Sequence, residues 1–162
     1  VSGFIAPPFE SRLFATLLAL NNAHAEELSY QTPEAFRDLL SRASHVRAEP
    51  RGLALLVAFN ERCSYDNPNF NWLRARFPQF NYIDRVVVHE SARGLGHART
   101  LYAGLEKHTL AERRQRLVCE INLIPPNPNS DAFHLALGFI PAGEQVLAGK
   151  SKTVRYWVKE IG

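Results

Sequence analysis

The sequence predicts an α/β domain: one mixed, mostly antiparallel sheet with helices on both faces. Three observations carry this. The chain has 162 residues, 46% hydrophobic and 22% charged, the size and composition of one ordinary domain spanning residues 1–162. Its hydrophobic patterns run in the order helices, β-hairpin, β-α-β-α, β-hairpin. Residues 53–60 (Leu-Ala-Leu-Leu-Val-Ala-Phe-Asn) are apolar on both faces of a strand, the mark of a central strand with cover on each side.

The elements follow in order. Leu13, Phe14, Leu17, Leu18 and Leu20 repeat at helical spacing, so residues 10–22 form a helix. Thr32-Pro33 opens a second helix, since Thr caps and Pro suits the first turn; Phe36, Leu39, Leu40 and Ala43 carry it to about Ser44. Residues 46–49 and 53–60 form a hairpin around Glu49-Pro50-Arg51-Gly52. Residues 61–80, rich in Asn, Pro and aromatics, form a long irregular connection of the kind that often carries function. A strand over 81–89 centres on Val86-Val87-Val88. A helix over 94–113 places Leu95, Ala98, Leu101, Tyr102 and Leu105 on one face, and residues 117–123 form a strand. Residues 130–137 form a short helix ended by Gly138 in a left-handed cap. The last hairpin joins 139–147 to 153–159 around Ala148-Gly149-Lys150, its second arm alternating Val154, Tyr156 and Val158. No internal repeat or linker divides the chain.

Composition excludes several classes. No apolar run approaches the roughly 18 residues of a membrane helix; the longest, 53–59, is strand-sized. Val1-Ser2-Gly3-Phe4 offers neither a basic leader nor a long apolar core, so no signal peptide is expected. Two cysteines, Cys63 and Cys119, without CxxC spacing argue against a disulfide scaffold or zinc ribbon and for a reducing, cytoplasmic setting. Nineteen Lys and Arg against sixteen Asp and Glu leave +3, enough to favour a small anionic ligand and too little to indicate nucleic acid. No His and carboxylate share a metal-ligand spacing, so no metal is expected.

The chemistry concentrates in Val86-Val87-Val88-His89-Glu90-Ser91-Ala92-Arg93-Gly94-Leu95-Gly96-His97-Ala98-Arg99, a buried strand that turns through two glycines into a helix. Unpaired N–H groups and the positive dipole end of a helix start attract phosphate, and glycine lets it come close. The segment lacks the Gly-Lys-Ser/Thr of an NTPase loop, and Arg99 stands where a dinucleotide fingerprint has its third glycine. From these residues alone it is either a phosphate cradle or a tight turn with packing glycines.

Arg93-Gly94-Leu95-Gly96-His97-Ala98 resembles the Arg/Gln-x-x-Gly-x-Gly/Ala signature of the GNAT N-acetyltransferase superfamily. Asn127-Pro128-Asn129-Ser130-Asp131-Ala132-Phe133-His134-Leu135-Ala136-Leu137-Gly138-Phe139 resembles its later block: an Asn, a small residue three on, an aromatic or His seven on, and a closing Gly-Phe. The strand with Cys119-Glu120-Ile121-Asn122 lies between them, and further wording at 82–85 and 125–128 resembles a bacterial branch of predicted acetyltransferases. The resemblance covers residues 81–139 most strongly. It implies acetyl-CoA as co-substrate and a sheet whose fourth and fifth strands splay around the pantetheine arm. Carried across, the backbone of Val86, Val87 and Val88 pairs with pantetheine amides. The N–H groups of Arg93, Gly94, Leu95, Gly96, His97 and Ala98 hold the pyrophosphate, and Asn127, Ser130 and Phe133 complete the cofactor side.

Transfer to an amine calls for a base, an acid for the thiolate and an oxyanion donor. Glu120, in mid-strand beside the implied split, is the first candidate base; in relatives that acetylate protein N-termini a Glu on this strand acts so, with the motif Asn five residues on rather than the seven found here. The alternative is a structural carboxylate. Many relatives carry a Glu where this chain has Tyr82, and Asp84 follows on the same face, either as a base or in an ion pair with Arg85. The family's general acid is a Tyr four residues before the closing Gly-Phe, a position held here by His134, with Tyr102 and Tyr82 as substitutes. Cys119 faces away from Glu120 and is expected to be a buried small hydrophobe. In the loop of residues 65–72, Tyr65, Asn69 and Trp72 form, together with Tyr82, either a substrate lid or a short helix packing Phe70 and Trp72 inward.

The implied enzyme acetylates a small-molecule or peptide primary amine by direct attack, as a monomer or homodimer, without nucleic acid or membrane partners. The rivals are a non-catalytic acyl-CoA sensor of the same fold and a phosphate-binding regulatory domain.

Overall fold

The computed structural model describes residues 3–147, 149 and 151–162. It has six helices and six strands among those residues: α1 (Ser11–Ala23), α2 (Ala25–Leu28), α3 (Pro33–Arg42), β1 (His45–Ala48), β2 (Ala54–Asn60), α4 (Pro68–Arg76), β3 (Asn81–Val88), α5 (His97–Ala111), β4 (Arg116–Ile124), α6 (Pro128–Ala136), β5 (Ile140–Leu147) and β6 (Lys152–Glu160). A 3-10 turn, Glu90–Ala92, links β3 to α5.

Local chemistry sets the helix starts. Glu10 accepts from the Leu13 N–H at the head of α1, and Thr32 accepts from the Ala35 N–H before Pro33. Asn67 caps α4 by accepting from the Asn69 and Phe70 N–H groups, and Pro68 fills its first turn. The connection expected to be irregular thus contains a helix, and Phe70 of that helix is fully buried. α2 was not foreseen: four residues, Ala-Glu-Glu-Leu, are too few to show a period. α5 begins at His97 rather than 94 because Gly94 and Gly96 take left-handed φ values of +80° and +81°. Gly138, at φ +94°, closes α6 as expected. Of the predicted turn at 148–150, Ala148 and Lys150 lie outside the described residues.

The sheet is mixed, with strand order β1-β2-β3-β4-β6-β5. Every neighbouring pair is antiparallel except β3 and β4. One face packs against α1, α3 and α4 through Leu17, Phe36, Phe70, Val57, Phe59, Tyr82 and Val118. The other packs against α5 through Leu101, Tyr102, Leu105, Leu56, Ile83, Cys119 and Trp157. β2 is covered on both faces, as its apolar run requires.

Two irregularities position the site. β3 and β4 pair at only two positions, Asn81 with Leu117 and Tyr82 with Val118, and then part. The other edge of β3 stays on β2, but with a shift: Val57 faces Arg85 and Ala58 faces Ile83, leaving Asp84 as an extra, bulged residue. The opening was expected between a fourth and a fifth strand. It lies between the third and fourth here because the leading segment contributes only one bridge, Ile5 to Ala48.

The C-terminal hairpin is shaped by a close approach. Gly143, at φ +152°, sits on the Trp72 ring, and a Cβ there would lie 2.6 Å from Cη2 of that ring. Gly143→Val should therefore destabilise the domain by about 1–3 kcal/mol, the usual range for overpacking. Urea denaturation measures this, and an unchanged midpoint would contradict the packing described.

Candidate active site

Where β3 leaves β4, two spaces meet. A narrow cleft of about 120 Å³ runs between the strands, lined by Val86, Tyr102, Cys119, Glu120, Ser130 and His134 among others. A larger cavity of about 670 Å³ opens on the α1–α3 side, lined by α2, Tyr65, Asn69, Tyr82, Asp84, Arg85, Glu120 and Lys152. Glu120 borders both. α2 closes one rim, held by the Lys152 ammonium, which donates to the Glu26 carbonyl at 2.8 Å.

Two polar clusters sit at the junction. The Tyr82 hydroxyl donates to Glu120 Oε1 at 2.6 Å. Burial drives the Glu120 carboxyl up to about 8; the Tyr82 hydrogen bond pulls against this and the negative charge of Asp84 adds to it. The second cluster is Asp84, whose Oδ1 accepts from the Tyr65 hydroxyl and whose Oδ2 accepts from Arg85 Nε, both at 2.6 Å. Arg85 Nη1 then donates to Asn21 Oδ1 at 2.7 Å. The Asp84 and Arg85 side chains are 4% and 5% exposed, so this is a buried, satisfied ion pair. Both carboxylate oxygens of Asp84 are committed, which sets it apart from Glu120 as a candidate base.

A third pair lies deeper in the cleft. His134 Nδ1 is 2.7 Å from the Ser130 carbonyl, which can only accept, so Nδ1 carries the proton. Burial lowers the His134 pKa, which keeps the ring neutral. Nε2 is then an acceptor and takes the Tyr102 hydroxyl proton at 2.8 Å. The expectation that His134 takes the place of the family's general acid meets a physical obstacle: its one N–H is spent on the helix backbone.

The glycine loop presents free backbone donors, except at Arg93, whose N–H donates to the Glu90 carbonyl at 3.4 Å. Among the described residues, the N–H groups of Gly94, Leu95, Gly96, His97 and Ala98 make no hydrogen bond within the protein. Gly94, Leu95 and Gly96 are exposed, and a Cβ at either glycine would meet nothing within 4 Å. Arg93 is also exposed, its guanidinium 3.4 Å from His24 Nε2. His97 packs edge-on against Phe4. Val86, Val87 and Val88 lie on the part of β3 that has left β4, so one backbone edge there has no strand partner. Asn127 caps α6 by accepting from the Ser130 N–H, and Phe133 packs edge-on against Tyr102, at 5.4 Å between ring centres.

The loop candidates divide. Tyr65 and Asn69 line the large cavity. Trp72 does not: it stacks on Tyr156 with ring centres 4.0 Å apart, under the Arg76 guanidinium and against Gly143. It is a packing residue, as the helix alternative implied. Tyr82 is 1% exposed and meets the cavity through its hydroxyl bond to Glu120. Three contributors were missed. Asn21 is a polar residue one turn after Leu17 on the buried stripe of α1, a signal that could have marked it. Tyr156, whose hydroxyl lies 2.8 Å from both Asn69 Oδ1 and Gln145 Oε1, showed only the alternation of a strand. Glu27 of α2, which borders both spaces, carried no pattern. Among the described residues no group of three or more His, Cys, Asp or Glu could hold a metal ion, and no helix is long and apolar enough to cross a membrane.

Residues 30–139, more than half of the chain, match the acetyltransferase (GNAT) family model. No curated protein sequence matches the chain. Solved structures resemble it over nearly its whole length. Ard1 from Thermoplasma volcanium is 12% identical with a TM-score of 0.72, over 98% of each chain. The ribosomal-protein-alanine N-acetyltransferase of Brucella melitensis is 18% identical with a TM-score of 0.68, over 98% of this chain and 99% of that one. A chain of the NatC complex bound to Gag peptide and CoA is 16% identical with a TM-score of 0.67, over 98% and 99%. At these identities the likeness is one of fold.

The raised Glu120 pKa has a consequence for stability. An unfolded carboxyl titrates near 4.5 and the folded one near 8, so the native state binds the extra proton between those values. Stability contributed by Glu120 is full below about pH 4.5 and is lost as pH rises through about 8. Glu120→Gln should remove that slope. Denaturation midpoints of the two proteins between pH 5 and 9 check this; parallel curves would mean that Glu120 titrates normally.

Proposed function

The chain belongs to the GNAT acetyltransferase family, and we propose that it transfers the acetyl group of acetyl-CoA to a primary amine by direct attack in a ternary complex. The observation that carries this is a succession of three features along one strand edge: a carboxyl with a raised pKa at the junction of cleft and cavity, the parted edge of β3 beyond it, and an exposed row of unpaired N–H groups at the head of α5, which follows β3.

Acetyl-CoA supplies an activated thioester. Its pyrophosphate suits the N–H groups of residues 94–98 and the dipole of α5, the Arg93 N–H being spent on the Glu90 carbonyl, and its pantetheine amides suit the free edge of β3 at Val86, Val87 and Val88. Asn127 and Ser130 border the same cleft on α6. The amine enters from the large cavity, past Tyr65 and Asn69. Glu120 accepts a proton from the attacking nitrogen, directly or through water, and the Tyr82 hydroxyl holds the carboxyl in place. The acceptor is a small molecule or a peptide N-terminus. Two structural neighbours, the NatC complex bound to Gag peptide and CoA and the ribosomal-protein-alanine N-acetyltransferase, support the second class.

Two outcomes test the reading. Gly96→Val places a β-branched residue at φ +81° and crowds the cradle, so acetyl-CoA binding by calorimetry should be lost in a protein that still folds. Unchanged affinity would remove the cradle. Glu120→Gln should lower kcat by roughly 10²–10⁴-fold while acetyl-CoA affinity changes little. With an acceptor amine that is already neutral across the range, the wild-type rate should rise with pH through about 8, as the carboxyl ionises, and the Gln enzyme should lack that limb. Thiol release across an amine panel reads both, and wild-type turnover in the Gln enzyme would return Glu120 to a structural role.

A further inference from the structure

Taking Glu120 as the base of an acetyl transfer, as proposed above, we infer that the same carboxyl is also the acid: it carries the proton removed from the amine across the junction and delivers it to the departing sulfur, so that the site uses one proton-carrying group and no separate acid.

Geometry and a count of donors lead here. Glu120 is on the boundary of both spaces, facing the acceptor cavity and the cofactor cleft. Tyr102 and His134 border the cleft and not the cavity. The N–H of His134 goes to the Ser130 carbonyl, and the Tyr102 O–H goes to His134 Nε2. Burial holds the Tyr102 phenol well above its ordinary pKa, so giving up its proton to a thiolate is uphill. The remaining polar groups around Glu120 are Tyr82, Asp84 and Arg85 of β3, Tyr65 from the α4 side, Tyr156 paired with it on β6, Asn122 two residues along β4, and Glu27 on α2. The Asn122 amide holds no acidic proton, and Glu27 stands exposed to water on the rim. The Tyr82 hydroxyl donates to Glu120 itself, the Tyr65 hydroxyl to Asp84, and the single Tyr156 hydroxyl proton to one of Asn69 Oδ1 and Gln145 Oε1, each 2.8 Å away. Arg85 is spent on Asp84 and Asn21. Cys119 borders the cleft from the α5 side of β4, and burial holds its thiol well above the ordinary pKa, so it keeps its proton.

The step balances without a co-reactant. The amine nitrogen forms a bond to the acetyl carbon, and Glu120 takes the proton this nitrogen sheds. The carbon–sulfur bond then breaks, its electron pair leaving with sulfur. The protonated Glu120 returns its proton to that sulfur, giving the amide, the CoA thiol and the original carboxylate. A carboxyl near 8 and a thiol near 8.5 exchange a proton at almost no cost in either direction.

The test titrates the thiol of CoA bound to the intact protein, by the ultraviolet absorbance of the thiolate, in wild type, Glu120→Gln and Tyr102→Phe. A carboxylate beside the sulfur opposes a second negative charge, so the bound thiol of wild type should ionise at higher pH than that of Glu120→Gln, by about one pH unit or more. The Tyr102→Phe thiol should titrate as in wild type. Identical titrations in wild type and Glu120→Gln would place the carboxyl away from the sulfur and overturn the inference. A thiol pKa raised in Tyr102→Phe would assign the donor to Tyr102 and overturn it too. Either result leaves the base role standing if Glu120→Gln still lacks the alkaline limb of the rate profile; if that limb persists, it is the base role that fails.

Discussion

The site depends on one defect in the sheet. Among the described residues β3 and β4 form its one parallel pair, and they keep it for two positions before the bulge at Asp84 turns β3 aside. A bulge adds a residue to one strand, bends it and increases its twist. Here it does so while β2 holds the other edge in register. The backbone groups that β3 no longer offers to β4 still need partners, because an unpaired peptide group shut away from water is costly. An opening that keeps them in contact with solvent, or with amides of a bound chain, answers that need. The same bend points both Asp84 and Arg85 away from the α5 side, since the extra residue shifts the alternation: Ile83 and Val86 face α5, whereas Tyr82 and Val87 face α1 and α3.

Charge pairing then decides which carboxyl is reactive. Arg85 is the buried cation nearest the junction. Unpaired, it would hold Glu120 ionised and low. Asp84 neutralises it at 2.6 Å, and Asn21 takes a further N–H, so its pull on Glu120 is weak beside the effect of burial. The result is a division of labour between two carboxyls on adjacent strands: one locked as a counter-ion, the other raised into the range where it exchanges protons near neutrality. Removing Asp84 would thus lower the Glu120 pKa in two ways, by taking away a neighbouring negative charge and by freeing Arg85.

Much of this was legible in sequence and some was not, for physical reasons. The covered strand β2, the glycine-led start of α5 and the Gly138 cap follow from periodicity and backbone sterics, which act over a few residues. The candidate base was visible as a charge in mid-strand. The bulge was not: a single extra residue in Tyr82-Ile83-Asp84-Arg85-Val86 leaves no local mark, because it exists only relative to β2. The tautomer of His134 was hidden for the same reason, since it is set by the Ser130 carbonyl one helical turn back and by Tyr102 on another helix. Trp72 misled because an aromatic among amides fits a lid as well as it fits a hairpin's underside; only the pairing of β5 with β6 brings Gly143 and Tyr156 over it.

The exchange of residue types between β3 and β4 is the last link. Where many relatives are implied to carry a carboxylate on the first of these strands, this chain has Tyr82, and its carboxylate stands on the second, at Glu120. Tyr82 pairs with Val118, and Glu120 lies two residues beyond Val118 on the same face, so the two side chains meet diagonally across the last rung before the strands part. A Tyr is long enough to span that gap; a Glu there would face Glu120 and Asp84 together and set three carboxyls around one cation. The hydroxyl bridges the rim of the opening without adding charge, and it leaves one oxygen of Glu120 free to face the cavity and the cleft. A site that parts its strands for a ligand needs such a link at the hinge, and here the link and the positioning of the base are one hydrogen bond.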